Sequence, residues 1–186
     1  MPFIVVYDAD ALFPNAQRDL LIRMAMHGMV QAKWTDQILD EMVRARGRKH
    51  QDATPEKLAR LRVLMNDAIP DCLVTGHEPL IEVLKLPDPD DRHVLAAAIR
   101  AGAQVIVTTN LRDFPPADLE PWNVEAKSPD DFVLDQITID DRIVFTCVQE
   151  IANARKRHPQ TASDVLGELE RSGLVESVAA LRSPPS

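Results

Sequence analysis

Two cysteines among 186 residues, Cys72 and Cys147, are too few and too far apart for a disulfide framework or a thiolate metal site. They read as buried or inert thiols of a cytosolic protein. No apolar run approaches the roughly 18 residues of a membrane span, and no signal-like segment precedes the first strand. The chain therefore reads as cytoplasmic, with no membrane partner. The five histidines are scattered and form no ligand pair, which disfavours zinc. Aromatic residues make up 4% of the chain, so base stacking is not a main source of affinity for any partner. A basic surplus is missing as well. The formal charge of −8 argues against gripping nucleic acid with the whole surface, but it leaves room for a local basic groove. No internal repeat is present.

What remains is an ordinary globular composition, 45% hydrophobic and 27% charged, long enough for one core and a small appendage. Phe3-Ile4-Val5-Val6-Tyr7 fits a buried parallel strand. Helices are expected from Asn15 to Gly28, from Thr35 or Asp36 to Gly47, and from Pro55 to Ala68 with Leu58, Leu61, Leu64 and Met65 inward. A short strand is expected over Val30 to Trp34, another around Cys72 to Val74, and an edge strand over Asn123 to Ala126. Pro87-Asp88-Pro89-Asp90-Asp91 is a loop that opens a helix ending at Gly102, and Val105-Ile106-Val107-Thr108 is the central strand. This alternation implies an α/β fold with a parallel sheet flanked by helices. From Ser128 onward only helical patterns follow, so residues 1–130 read as one domain and 131–186 as a helical C-terminal extension. The closing Ser183-Pro184-Pro185-Ser186 reads as disordered.

Four acids fall where such a fold opens its ligand edge. Asp8 closes the first strand, where its ordinary role would be a helix cap. Glu41 lies on the apolar side of its helix, next to Met42 and three residues after Ile38, whereas Asp40 shares the polar side with Asp36 and Arg44. Glu41 is thus either a ligand or a snorkelling surface residue. Asp91 points inward with Val94, Leu95 and Ala98, and Asp90 is the better cap. Asp113 follows the central strand, with Thr109 and Asn110 beside it as further oxygen donors. Two carboxylates at about 4 Å repel by roughly 4 kcal/mol at an effective dielectric near 20. Converging acids must therefore take up protons or bind a cation. An all-oxygen donor set suits Mg²⁺ or Mn²⁺, whose usual work is phosphate chemistry.

Val6-Tyr7-Asp8-Ala9-Asp10, the helical Glu41, Pro89-Asp90-Asp91-Arg92-His93-Val94-Leu95-Ala96-Ala97-Ala98 and Val107-Thr108-Thr109-Asn110-Leu111-Arg112-Asp113-Phe114 together resemble the PIN domain. Their order and spacing are similar to the VapC-type toxins of bacterial toxin–antitoxin pairs. The resemblance covers about residues 1–130 and implies a parallel sheet of about five strands. It further implies a metal-dependent endoribonuclease for single-stranded RNA, leaving 5′-phosphate and 3′-hydroxyl ends. Asp8 and Asp91 match the principal metal-binding acids, Glu41 the second acid, and Asp113 the less regular fourth, with Asn110 as its helper or rival. Asp10 stands where many relatives have a smaller polar residue. Glu41 is the candidate for positioning or deprotonating water. A small antitoxin protein is the implied partner, and a homodimer is a further one. Arg44, Arg46, Arg48, Lys49 and His50 are candidates for gripping RNA phosphates, against the plain reading of a solvated helix end. Arg155-Lys156-Arg157-His158 is a second such run.

Two rival readings exist. Asp8-Ala9-Asp10 and Val107-Thr108-Thr109-Asn110 also resemble the haloacid dehalogenase phosphatases, with Asp8 as nucleophile. That reading needs Lys127 and a later acid pair, Asp130-Asp131 or Asp140-Asp141, and leaves Glu41 and Asp91 unexplained. The other rival is a catalytically inactive PIN-like scaffold for RNA or protein, which the full acid set disfavours.

Overall fold

In the computed structural model, residues 2–183 are described. Of the closing segment expected to be disordered, Pro184, Pro185 and Ser186 lie outside them. Strand β1 (Phe3–Tyr7) is followed by α1 (Ala9–Leu12), α2 (Asn15–Met26), β2 (Val30–Lys33), α3 (Asp36–Lys49), α4 (Pro55–Ala68) and α5 (Glu78–Ile81). Then come α6 (Arg92–Ala101), β3 (Val105–Val107), α7 (Pro116–Leu119), β4 (Glu125–Lys127), α8 (Pro129–Ala154), α9 (Ala162–Arg171) and α10 (Val175–Arg182). The strands form one parallel sheet in the order β2-β1-β3-β4. Val5, Val6 and Tyr7 are all fully buried although successive side chains of a strand point to opposite faces. Both faces of the sheet centre are therefore covered, as βαβ crossovers require.

The sheet has four strands rather than about five. The expected strand at Cys72 to Val74 is reduced to a single parallel bridge, Trp34 to Leu73. Asp71 at φ 56° and Gly76 at φ 77° turn the chain on either side, leaving too little extended backbone for a ladder. Helix α3 runs through Gly47 to Lys49. A single glycine in a helix costs only about 1 kcal/mol, and a Cβ at Gly47 would sit 3.6 Å from Leu58 Cδ1. In α4, Met65 is buried but Leu64 is exposed, contrary to the expected inward stripe.

The C-terminal helices pack on the α/β body, chiefly through α8 against α2, and share its hydrophobic core. Asp140 interrupts α8 with non-helical backbone and caps the helix's second half, accepting from Ile143 N at 3.1 Å. Asp130 fastens the last helix, accepting from Glu176 N at 3.0 Å and from Ser177 N at 2.9 Å.

Candidate metal centre at the sheet edge

The acids stand one residue or one turn beyond the parallel strands. Asp8 continues the ladder, its N–H donating to Val107 O at 3.0 Å, and Thr108 N donates to Lys127 O at 3.0 Å. Both side chains are buried. Asp8 fills two roles at once. Its Oδ1 caps α1 by accepting from Ala9 N at 2.8 Å, and its Oδ2 accepts from Thr108 Oγ1 at 2.9 Å. The capping role expected from the sequence is therefore present, but it uses only one oxygen.

Asp10 closes the same corner. Its carboxylate accepts from Thr109 N at 3.1 Å and from Thr109 Oγ1 at 2.7 Å, and Thr108 Oγ1 lies 3.2 Å from its Oδ2. Thr108 escapes a sequence reading because a β-branched residue closing a strand reads as packing. The structure makes it the pivot between two acids, and it also accepts from Asn110 N at 3.1 Å.

The second group gathers around α6. Asp88, Asp91 and Asp113 each bring one oxygen, all within 4.8 Å of one another. Asn110 Nδ2 donates to Asp113 Oδ2 at 2.8 Å and reaches Asp91 Oδ2 at 3.4 Å, so it ties the two acids together. The expected cap Asp90 is replaced by Asp88, whose carboxylate accepts from Asp90 N at 2.9 Å. The tight 3₁₀ turn over Pro89–Asp91 brings Asp88 round beside Asp91, a placement that a purely α-helical phase does not give.

Glu41 faces this group and Asp40 does not. Asp36 and Asp40 are both paired with Arg62 from α4 on the outer side of α3. Glu41 instead lies 2.8 Å from Nε2 of His93, an α6 residue only 3% exposed at its side chain. The ring N–H does not point along that line, and neither ring nitrogen has an aligned hydrogen-bond partner. The contact is thus close electrostatic proximity rather than a formed hydrogen bond. In the sequence, His93 reads as one member of a helical run and carries no signal of its own.

The electrostatics follow from this crowding. Burial, then the charge of Asp10, pushes the Asp8 carboxyl up to about 7, with a smaller contribution from Asp91, against the pull of Ala9 N and Thr108. Burial, then Asp88 and Asp113, raises Asp91 to about 6, and Glu41 adds to it. Asp8 and Asp91 therefore feel each other across the site. Such a set relieves its repulsion by holding protons or a cation, and its oxygen chemistry fits Mg²⁺ or Mn²⁺.

A cavity of about 420 Å³ opens beside the acids, lined by Asp10 and Glu41 and also by Arg48 and Lys49. Arg44 is exposed and does not line it. Arg46 turns to the α1 corner, where Nη1 donates to Phe13 O at 3.0 Å. In the second basic run, Arg155 lies 3.7 Å from Glu168, and none of its residues lines this cavity. The residues needed by the phosphatase reading are occupied elsewhere. Lys127 pairs with Asp135, and Asp130 holds α10.

The chain's similarities agree with this layout. The PIN domain family model, PIN_3, matches residues 5–112, and the model of the VapC50 C-terminal domain matches residues 129–183. A Mycobacterium tuberculosis protein named "Putative ribonuclease VapC50" is 43% identical over 79 residues, 42% of this chain and 47% of that relative. The matched stretch thus spans about half the length of the relative. No solved structure matches. With Asp8, α3, the Asp91 turn and β3 all inside the matched segment, the chain belongs to the PIN domain family.

Proposed function

We infer that this protein is a metal-dependent endoribonuclease that hydrolyses phosphodiester bonds of single-stranded RNA, acting as the toxin of a toxin–antitoxin pair. The observation that carries the reading is the crowding of carboxylates at the sheet edge, with Asp8 and Asp91 both raised by burial and by their acidic neighbours. Asp8, Asp91, Glu41 and Asp113 would hold Mg²⁺ or Mn²⁺, with Asp10, Thr109 and Asn110 in support. When bound, the cation would offset the clustered charge, stabilise negative charge on the phosphate and make an attacking water more acidic. Thr108 and Ala9 N hold the Asp8 oxygens in place. Asn110 holds Asp91 and Asp113 at a fixed separation. Glu41, half-buried at the rim, is placed to orient water or take its proton. Arg48 and Lys49 supply positive charge at the cavity mouth for the RNA backbone.

Residues 1–130 are read as the nuclease domain and 131–186 as the helical extension. No helix among the described residues is long and apolar enough to cross a membrane. A cytoplasmic location, a small antitoxin partner and a homodimer belong to the same proposal. The test is RNA cleavage with mapped ends, comparing wild type with Asp8→Asn, with and without Mn²⁺. The reading expects metal-dependent 5′-phosphate and 3′-hydroxyl products from the wild type alone. Equal cleavage by the variant, or metal-independent products, refutes it.

A further inference from the structure

The cavity beside the acids has an apolar floor that metal binding and phosphate gripping leave unused. Ala9 and Phe13 come from the α1 corner and Ala45 from α3, with the fully buried Met42 beneath them. We propose that this floor is a subsite for one nucleobase, that of the nucleotide next to the scissile phosphate. The inference rests on the nuclease reading and adds to it a substrate contact that depends on a base rather than on the backbone.

Three observations carry it. The first is continuity: Asp10 and Glu41 form one wall of the cavity, so whatever occupies it adjoins the candidate metal centre. The second is the charge layout. Glu41 and Arg48 line it from the same helix two turns apart, roughly 10 Å along α3, so an acid and the cations stand at different ends. A nucleotide matches that order, with one phosphate at the metal, an uncharged flat ring between, and the next phosphate at the cations. An acidic peptide would carry its charge onto the apolar floor and meet Asp10 and Glu41 with like charge.

The third is the way Phe13 is held. It terminates α1 and is followed at once by Pro14, which leads into α2. Arg46 Nη1 fixes its carbonyl at 3.0 Å. The ring lies 5.7 Å from the Arg46 guanidinium carbon and 5.3 Å from Lys49 Nζ, and it is stacked with His50 at 6.0 Å between centroids. In a chain with 4% aromatics, a half-buried ring is thus braced by cations at the edge of the candidate active site. A volume of about 420 Å³ has room for a base.

The test uses full-length protein carrying Asp8→Asn, so that RNA is bound without being cut. Its affinity is measured in Mn²⁺ for a fluorescent single-stranded RNA decamer and for a set of decamers in which one abasic residue is moved along the strand. The proposal expects one position where loss of the base weakens binding about tenfold or more, the range seen when the stacking of one base on an aromatic ring is removed. Adding Phe13→Ala should abolish that position-specific loss. Ala45→Gln, which fills the cavity from a helix position tolerant of glutamine, should abolish it too, and this second variant covers a folding failure of the first. A flat abasic scan, a dip that survives both substitutions, or no binding of the decamer overturns the proposal. Cleavage by the wild type with a flat scan removes the base subsite and leaves the nuclease. A clear dip without any wild-type cleavage removes the nuclease and leaves the subsite.

Discussion

Nε2 of the buried His93 lies 2.8 Å from Oε1 of Glu41, joining α6 to α3 across the acid cluster. Glu41 sits on the cavity rim, where a flexible side chain would otherwise follow solvent, and His93 limits where its carboxylate rests. His93→Ala should therefore weaken Mn²⁺ binding by about tenfold, the lower end of the range for losing a group that orients a ligand. Asp8 and its hydrogen bond from Thr108 should be untouched. Manganese titration followed by calorimetry gives the check. An affinity equal to that of the wild type would make His93 a core residue only.

Repulsion within the site gives a second expectation. Mn²⁺ should raise the melting temperature of the wild type more than that of Asp91→Asn, because a ligand that binds only the folded state stabilises by an amount that grows with the logarithm of its affinity. Asp91 loses its charge in the variant, and with it the carboxyl that burial first, then Asp88, Asp113 and Glu41, raise. Thermal scans over a Mn²⁺ series decide the point. Parallel shifts in the two proteins would move the cation to another part of the molecule.

The pH dependence has a definite sign. Asp8 is raised from an ordinary 3.8 to about 7 in the folded chain, so the native state holds its proton where the unfolded chain has lost it. The stability that this group contributes is full below about pH 4 and is lost as the pH rises through about 7. In chelator, wild type should lose stability relative to Asp8→Asn between pH 4 and 8, while Asp91, raised to about 6 and present in both proteins, adds a fall of the same sign to each. Saturating Mn²⁺ should reverse the trend by favouring the ionised acids. Denaturant melts across that range measure it, and a difference that does not change with pH would contradict the buried, crowded placement of Asp8.

These relationships are unevenly legible in the chain. An apolar run ending in an acid marks Asp8 because a carboxylate at the end of a buried strand is costly unless it caps a helix or meets a ligand, and here it caps α1 with only one oxygen. Helical phase separates Glu41 from Asp40, and the structure pairs Asp40 with Arg62 on the outer side. Asp88 reads only as part of the loop before Asp91, since the 3₁₀ turn that brings them together does not follow α-helical spacing. Thr108 and His93 are hidden by their surroundings. A threonine closing a strand and a histidine inside an alanine-rich helix both look like structure until a partner from another element is seen. The fifth strand fails for a local reason, the turns at Asp71 and Gly76, which hydrophobic patterning does not register.

The basic run also divides into two parts. Arg48 and Lys49 face the cavity, while Arg46 is partly buried, its pKa lowered by that burial, and donates to Phe13 O. Replacing Arg48 and Lys49 with glutamine should flatten the salt dependence of RNA binding, by about 0.7 in log–log slope for each phosphate no longer neutralised. Arg46→Gln should chiefly lower stability, since it removes the tie between α3 and the α1 corner. Affinity measured from low to moderate salt separates them. A slope unchanged in the double variant would return those two residues to the role of a solvated helix end.

The C-terminal helices depend on one carboxylate near the start of α8. Asp130 accepts from Glu176 N, Ser177 N and, at 2.7 Å, Ser177 Oγ, so it satisfies the first turn of α10, which lacks a capping side chain at Leu174. Asp130→Ala leaves the Glu176 and Ser177 backbone N–H groups without an acceptor from the protein, while Ser177 Oγ keeps the residue-130 carbonyl at 2.9 Å, and it should cost about 1–2 kcal/mol in urea unfolding. Ser177→Ala keeps both backbone hydrogen bonds and should cost less. The effect should appear as faster amide exchange in α10 before any change in β1 or β3, because α10 packs on α8 and α9 rather than on the sheet. Exchange that accelerates equally in the sheet would mean that the extension and the α/β body unfold as a single cooperative unit.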